Sequence, residues 1–392
     1  MERIVENPQY SVKVRFFDNN VELYDLIYNV KIDSKSFKKN IEKIQKWGYN
    51  SFRLLDKKNN VIDWFYIELE TNTYQLSTQA GYVFGIEMDS PDHGYYVGTY
   101  EIGEFKFTKG PKIKKVRSYP LEYCSRGCIS PSKMFFLGLR ENNTGGAPGR
   151  HYLAKLNWKK PSEHPIKWKK YLPSAIMAIS LIEDKLYVGL KDGSLQIWDI
   201  KKEDCVKNFN LFNSSIKTID FSRNKNIIVG SLDGEIACLS KNGEIIWNNK
   251  ISRTAISGVT EKYDSLTIID RNGHLIHINP ETGSIIEIQE LELEGVYNPS
   301  ISSNLIFIRD WFVISGDATV WVYWNKDYSP VRYYYSEDPL IRILVPNPSG
   351  FYIGDDDGCI QFWNLTFKIK SFSEETQRKL ERNPEFSNFD FL

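Results

Sequence analysis

Through residues 80–372, short apolar stretches that alternate with polar residues at every second position are broken by turn residues at a regular interval, which predicts many short β-strands. Five segments align directly: YVGLKDGSLQIWDI from Tyr187, IVGSLDGEIACLS from Ile228, TIIDRNGHLIHIN from Thr267, VISGDATVWVYW from Val313 and YIGDDDGCIQFWNL from Tyr352. In each, an apolar strand runs into a tight turn with Asp or Asn just before Gly, or Asp317 before Ala318, and a second alternating strand follows. Such turns mark hairpin tips, because two-residue reversals need positive φ values that Gly, Asn and Asp tolerate. Measured at Gly193, Gly234, Gly273, Ala318 and Gly358 the spacings are 41, 39, 45 and 40 residues. That interval leaves room for four strands per repeat.

Two weaker repeats precede these, YYVGTYEIGEFKF from Tyr95 and MFFLGLR from Met134, the second resuming as HYLAKLNW after a Gly-rich interruption. Together they make seven repeats over residues 80–372. The segments around Asp192, Asp233 and Asp357 resemble WD-repeat blades, with Trp198-Asp199 supplying that family's signature dipeptide and Trp363-Asn364 a near match. GEIACLSKNGEIIW and GHLIHINPETGSII are equally similar to blades of quinoprotein-like propellers. The resemblance implies a mainly β fold, a seven-bladed β-propeller, and specifies architecture far more than function. No Gly-His dipeptide opens a blade as it does in many WD repeats, so the His-to-Asp relay of that family is not expected.

Residues 1–79 carry a different pattern. YSVKVRFF, VELYDLIYNV, SFRLL and DWFYIELE alternate as strands. SKSFKKNIEKIQKWG places Phe37, Ile41, Ile44 and Trp47 at three- and four-residue steps, which predicts one amphipathic helix with Ser34 as its N-cap. A small N-terminal α+β domain is the expectation for residues 1–79, followed by the propeller at 80–372 and a charged, aromatic C-terminal tail at 373–392.

Composition narrows the functional classes. Lys+Arg and Asp+Glu both number 50, so no net field draws in nucleic acid or anionic lipid, and either role needs a local patch. The best such patch is KFTKGPKIKKVRSYP, residues 106–120. The first residues lack the apolar core of a secretory signal, and no stretch approaches the roughly 20 apolar residues of a membrane span. Five cysteines, an odd number scattered through strands, suit a reducing compartment, so a cytoplasmic location is expected.

Candidate chemistry is sparse. Asp192, Asp233, Asp317 and Asp357 are accounted for by turn geometry. The run Asp355–Asp357 lacks the alternating ligand spacing of a calcium loop. Cys124 and Cys128, on one strand, should share a face about 13 Å apart, too far for one tetrahedral metal site. His274 and His277 fall on opposite faces of their strand. No nucleophile elbow, P-loop or dinucleotide fingerprint occurs. No metal and no cofactor are expected, and no catalytic residue is assigned. The reading is a non-catalytic scaffold that binds another protein through propeller faces and tail, with nucleic acid and membrane disfavoured. The alternative is an enzyme or small-ligand sensor with its site in the central funnel. Partner contacts are assigned to Arg140, Asn142, Asn143 and Arg150 in the Gly-rich loop, and to Phe386, Phe389, Phe391 and Leu392 in the tail.

Overall fold

The computed structural model describes residues 3–376, except 8–11, 26–30, 47–50, 91, 109–111, 122, 131, 133, 142–148, 159–165, 263–264, 292–303, 309–310, 317–318, 325–329, 336–339, 348 and 374. The chain divides into two compact units, residues 1–73 with 348–350 and 363–392, and residues 74–347 with 351–362. Every regular element described in either unit is a strand.

In the first unit, β1 (Arg3–Asn7), β2 (Val12–Phe17), β3 (Asn20–Asp25) and β4 (Lys31–Ser36) form an antiparallel sheet in chain order. Alternation decides its faces, since Val12, Val14 and Phe16 on β2 and Val21 and Leu23 on β3 are buried. β5 (Lys43–Lys46), β6 (Ser51–Leu55) and the early part of β7 (Val61–Ser77) make a second sheet, where Phe52 stacks on Phe65 with centroids 5.0 Å apart.

The helix expected within residues 1–79 does not form. Ser34, expected as its cap, lies in β4 opposite Glu22, and Ile44 lies in β5. Phe37, Ile41 and Ile44 are buried as their spacing implied, but through a turn between two strands. That turn is held by bonds from the Phe37 amide to Asn19 O (2.7 Å) and from the Ile41 amide to Asp18 O (2.6 Å). A helix of this length is marginal alone, and pairing with β3 and β6 offers each backbone group a partner. Residues 1–79 are all-β where they are described, not α+β. Trp47 lies outside the described residues.

The second unit is a succession of antiparallel sheets in chain order. They are β8 (Val83–Ser90), β9 (His93–Gly98), β10 (Glu101–Phe107) and β11 (Ile113–Pro120); β12 (Cys124–Ile129), β13 (Met134–Arg140), β14 (His151–Asn157) and β15 (Ile166–Leu172); and β16 (Ile176–Ile182), β17 (Lys185–Leu190), β18 (Ser194–Asp199) and β19 (Asp204–Asn210). Next come β20 (Ile216–Phe221), β21 (Ile227–Ser231), β22 (Glu235–Leu239) and β23 (Ile245–Lys250); β24 (Ile256–Lys262), β25 (Ser265–Asp270), β26 (His274–Ile278) and β27 (Ile285–Glu290); and β28 (Asn304–Ile308), β29 (Trp311–Ser315), β30 (Thr319–Trp324) and β31 (Pro330–Tyr335). The last array is β32 (Ile341–Asn347), β33 (Gly350–Asp355), the start of β34 (Cys359–Ser371) and the end of β7.

First strands neighbour one another in the order β8, β12, β16, β20, β24, β28 and β32, and β32 neighbours β8 again. The core follows that succession. Tyr95, Val97 and Ile102 pack with Phe135, Leu137 and Trp158; Phe136 and Leu153 pack with Leu186 and Val188; and Tyr96 and Phe105 pack with Tyr352 and Ile360. Each cluster buries the facing sides of two successive sheets, so no sheet has a dry interior alone.

Hairpins expected at the Asp-Gly and Asn-Gly dipeptides are present, with a different turn from the two-residue one anticipated. Three residues separate β17 from β18, β21 from β22, β25 from β26 and β33 from β34. Only the glycine adopts positive φ: 86° at Gly193, 82° at Gly234, 86° at Gly273 and 81° at Gly358. This is the type I turn closed by a left-handed glycine.

Asp192, Asp233 and Asp357 are exposed, and Asp317 lies outside the described residues. In the β25–β26 and β33–β34 hairpins the buried acceptor is the residue two places before the tip. Asp270 Oδ1 accepts from the Asn272 and His274 amides, both at 2.9 Å, and Asp355 Oδ1 from those of Asp357 (3.1 Å) and Cys359 (2.8 Å). Asp355 Oδ2 is buried without a hydrogen-bond partner. Burial, outweighing those two amide bonds and reinforced by Asp357 and Asp356, pushes the carboxyl up to about 6.

A carboxyl raised in the folded state contributes stability that is full below its unfolded pKa and lost as pH rises through the folded value. Asp355→Asn is therefore expected to gain roughly 1 to 3 kcal/mol on the wild type between pH 4 and 7. Urea midpoints of both proteins across that range check it, and a pH-independent difference would contradict it.

Candidate functional site

A cavity of about 860 Å³ opens in the second unit where the inner strands begin. Its wall comes from the starts of β8, β12, β16, β20, β24 and β32, and from Arg140, His151 and Lys191 at the ends of neighbouring hairpin strands.

A repeated irregularity builds that wall. In five first strands the register against the second strand slips near the strand's start: Val83/Gly85, Cys124/Arg126, Ile176/Ala178, Ile216/Thr218 and Ile256/Gly258. The skipped residue is Phe84, Ser125, Met177, Lys217 or Ser257, and all five line the cavity. A bulge leaves one residue out of the ladder and re-aims the local side chains. Arg342, which follows Ile341 as Lys217 follows Ile216, lines the cavity as well. In β8, β12, β16, β20, β24 and β32 the residue after the first apolar anchor thus lines the cavity.

The lining is cationic. Arg126, Arg140, Lys191, Lys217 and Arg342 face the space, and no Asp or Glu among the described residues lines it. Arg342 has one carboxylate, Asp356, at 2.9 Å, and its guanidinium lies 4.8 Å from the Tyr82 ring centroid. Arg126 donates to its neighbour's carbonyl, Ser125 O, at 2.7 Å, and sits 5.8 Å from the Phe84 ring. Burial lowers the Arg126 pKa, and the like charge of Arg342 lowers it further. Lys217 is reached by water, but partial desolvation and the charges of Arg126 and Arg271 lower its pKa too. His151 is pushed down by burial, then by Arg140 and Lys191, which favours its neutral form. Like charges held close disfavour the empty site, and an anion lowers that penalty.

Further along the same strands the sign reverses. Asp220 lies three residues beyond Lys217 and Glu87 three beyond Phe84, about 10 Å at strand rise. Burial, assisted by Glu261 and opposed by the Phe221 amide, pushes Asp220 up to about 6, and burial raises Glu87. An anion is favoured at the cavity end of these strands and not at the other.

Reactive groups are poorly placed. Cys124 lines the cavity, but burial pushes its thiol up to about 12. The bulge removes the shared face expected for the two cysteines: Cys124 packs between the first two sheets, and Cys128 between the second and third. All five cysteines are free, and no cluster of three His, Cys, Asp or Glu among the described residues could hold a metal. His277 meets Thr267 Oγ1 at 3.1 Å, while His274 meets Asp270 at 2.9 Å, so the two histidines serve separate networks. Asp270 also accepts from Ser252 Oγ at 2.7 Å, a bracing contact in a chain whose blades do not open with Gly-His.

Of the residues assigned from sequence, Arg140 lines the cavity. Arg150 instead lies 5.5 Å from the Tyr171 ring. Asn142, Asn143, Phe386, Phe389, Phe391 and Leu392 lie outside the described residues. Within the basic segment 106–120, Lys115 pairs with Glu101 (3.3 Å) and Arg117 with Glu104 (2.6 Å), so two of its cations already have acidic partners. Sequence reasoning missed Arg126, Lys217 and Arg342. The signal that could have found them is the repeat VFG, CSRG, IMA, IKT, ISG and IRI, aligned on the inner strand instead of on the hairpin tip.

Among solved structures, the WD40 β-propeller domain of Doa1 superposes with a TM-score of 0.59 at 12% identity, over 74% of this chain and 95% of that one. The computationally designed Ika8 protein superposes with a TM-score of 0.58 at 14% identity, over 74% of this chain and 98% of that one. No protein-family model and no curated protein matches the sequence. At such identities the likeness shows the fold alone, a β-propeller with WD40-type neighbours.

Proposed function

We propose that the chain is a seven-bladed propeller that works as a non-catalytic interaction scaffold, binding a partner through its faces in a manner that depends on an anion held in the funnel. Seven blades are supported by the return of the inner-strand order from β32 to β8. The observation that carries the functional reading is the cationic set Arg126, Lys217 and Arg342, facing a cavity that no described carboxylate lines. Binding is favoured over catalysis because cations and hydroxyls hold and orient an anion, whereas acid–base or nucleophilic chemistry needs a poised base or thiolate. The partner is another protein, consistent with the fold's use of flat faces and with a neutral overall charge.

Affinity capture from the native host tests the reading. The double variant Lys217→Met, Arg342→Gln should lose most of its captured partner while melting within a few degrees of the wild type. Undiminished capture by the folded variant would show that the funnel is not the contact.

A further inference from the structure

We infer that the anionic group taken by the funnel is an oligophosphate, two or more phosphoryl groups in close succession, as carried by a nucleoside triphosphate or a free polyphosphate. The inference rests on the proposed role of the funnel and names its ligand chemistry.

Three features separate phosphoryl from carboxylate. The first is charge density. Five cationic side chains converge on one cavity that no described carboxylate lines, Arg342 alone among them being ion-paired within the described residues. A terminal phosphoryl brings about −1.5 to −2 charge and three acceptor oxygens, whereas a carboxylate brings a single charge and two. Matching this lining with carboxylates requires several separate acids, while a short phosphate chain matches it in a small volume.

The second is donor type. Arg126 and Arg342 are close enough for each to feel the other's charge, and two guanidinium forks beside one point-charge ammonium, Lys217, suit an anion with oxygens on every side. A single carboxylate is satisfied by one fork. The third is the hydroxyl set. Ser125 and Ser257 occupy the same bulge position as Lys217, and Thr218 adjoins it, so neutral donors are interleaved with the cations. Ser125 Oγ at present bonds the Gly138 and Ile176 carbonyls, both at 3.2 Å, which are long contacts that it can exchange for a phosphoryl oxygen.

Tyr82, Tyr123 and Phe84 also line the cavity, and the first two are exposed. They offer stacking surface to an aromatic base beside the phosphates.

The test is calorimetric titration of the full chain in phosphate-free, low-salt buffer with tripolyphosphate, with ATP, and with tricarballylate as a carboxylate of similar charge. Tripolyphosphate is expected to bind at least tenfold more tightly than tricarballylate. Lys217→Met should reduce that affinity at least tenfold, and Lys241→Met, in a turn remote from the cavity, should leave it unchanged. Without ligand, Lys217→Met should melt no lower than the wild type, because it removes a repelling charge; a merely structural lysine would destabilise when removed. Tighter binding of ATP than of tripolyphosphate assigns the source to a nucleotide, and equal binding assigns it to a free oligophosphate.

Equal binding of tripolyphosphate and tricarballylate, both weakened by Lys217→Met, overturns the phosphoryl assignment and leaves the anion-binding funnel standing. Failure of both anions to bind, together with undiminished partner capture by the double variant, overturns the two together.

Discussion

Gly234→Val is expected to destabilise the protein by about 3 kcal/mol or more, read as a fall in the urea midpoint at pH 7. Two effects combine. Gly234 sits at φ 82°, where a β-branched residue is strained. A Cβ there would also lie 2.2 Å from Ser252 O and 2.8 Å from Thr254 O, which are backbone atoms with no freedom to retreat. They cannot move because the turn is a docking point: Gly234 O accepts from the Ile251 amide (3.0 Å) and the Ser252 amide (3.2 Å), which tie the hairpin tip to the connector leading to the next sheet. Asp233→Asn should change stability by no more than about 0.5 kcal/mol, since Asp233 is exposed and its carboxylate holds nothing. A mild Gly234→Val, or a severe Asp233→Asn, would reverse this assignment of roles within the turn.

Glu104→Gln is expected to cost about 3 kcal/mol at neutral pH, with the deficit disappearing in acid. Burial alone would raise the Glu104 carboxyl. The Trp158 indole N–H (2.8 Å), Arg117 Nε (2.6 Å) and His93 Nε2 (2.8 Å) outweigh burial and hold its pKa at about 2. A carboxyl lowered on folding contributes stability that is full above its unfolded pKa and lost as pH falls through the folded value. The wild type should therefore lose this contribution between about pH 4.5 and pH 2, and the glutamine variant should not. Trp158 follows β14 and Glu104 lies on β10, so the bond joins two successive sheets and its loss should reach beyond one hairpin. Urea midpoints at pH 7, 4 and 2.5 measure the convergence. Parallel pH profiles would show that the carboxylate charge is not the source of the stability.

Periodicity alone marked the repeated strands and the place of each described Gly-terminated hairpin, but not that the last array takes its fourth strand from the end of β7, before residue 80. Strand alternation and turn chemistry act over a few residues and are written where they act, as at Gly193 and Gly358. What depended on distant partners was not legible. The apolar spacing of Phe37, Ile41 and Ile44 suits a helix and a turn between strands equally, and pairing of the flanking segments with β3 and β6 decided for strands. Likewise Asp270 and Asp355 look no different in sequence from the exposed tip residues Asp192 and Asp357, and only packing buried the former. The funnel was the least legible feature. Arg126, Lys217 and Arg342 are scattered over more than 200 positions of a neutral chain, and no local pattern marks them as neighbours. The succession of the inner strands brings them to a single cavity, and at the start of β8, β12, β16, β20 and β24 a register slip, invisible to side-chain alternation, turns one residue into it. The sequence by itself determined the strands and their repeat, because those are local; the tertiary structure decided the charge of the site, because that is a sum over residues that only the fold assembles.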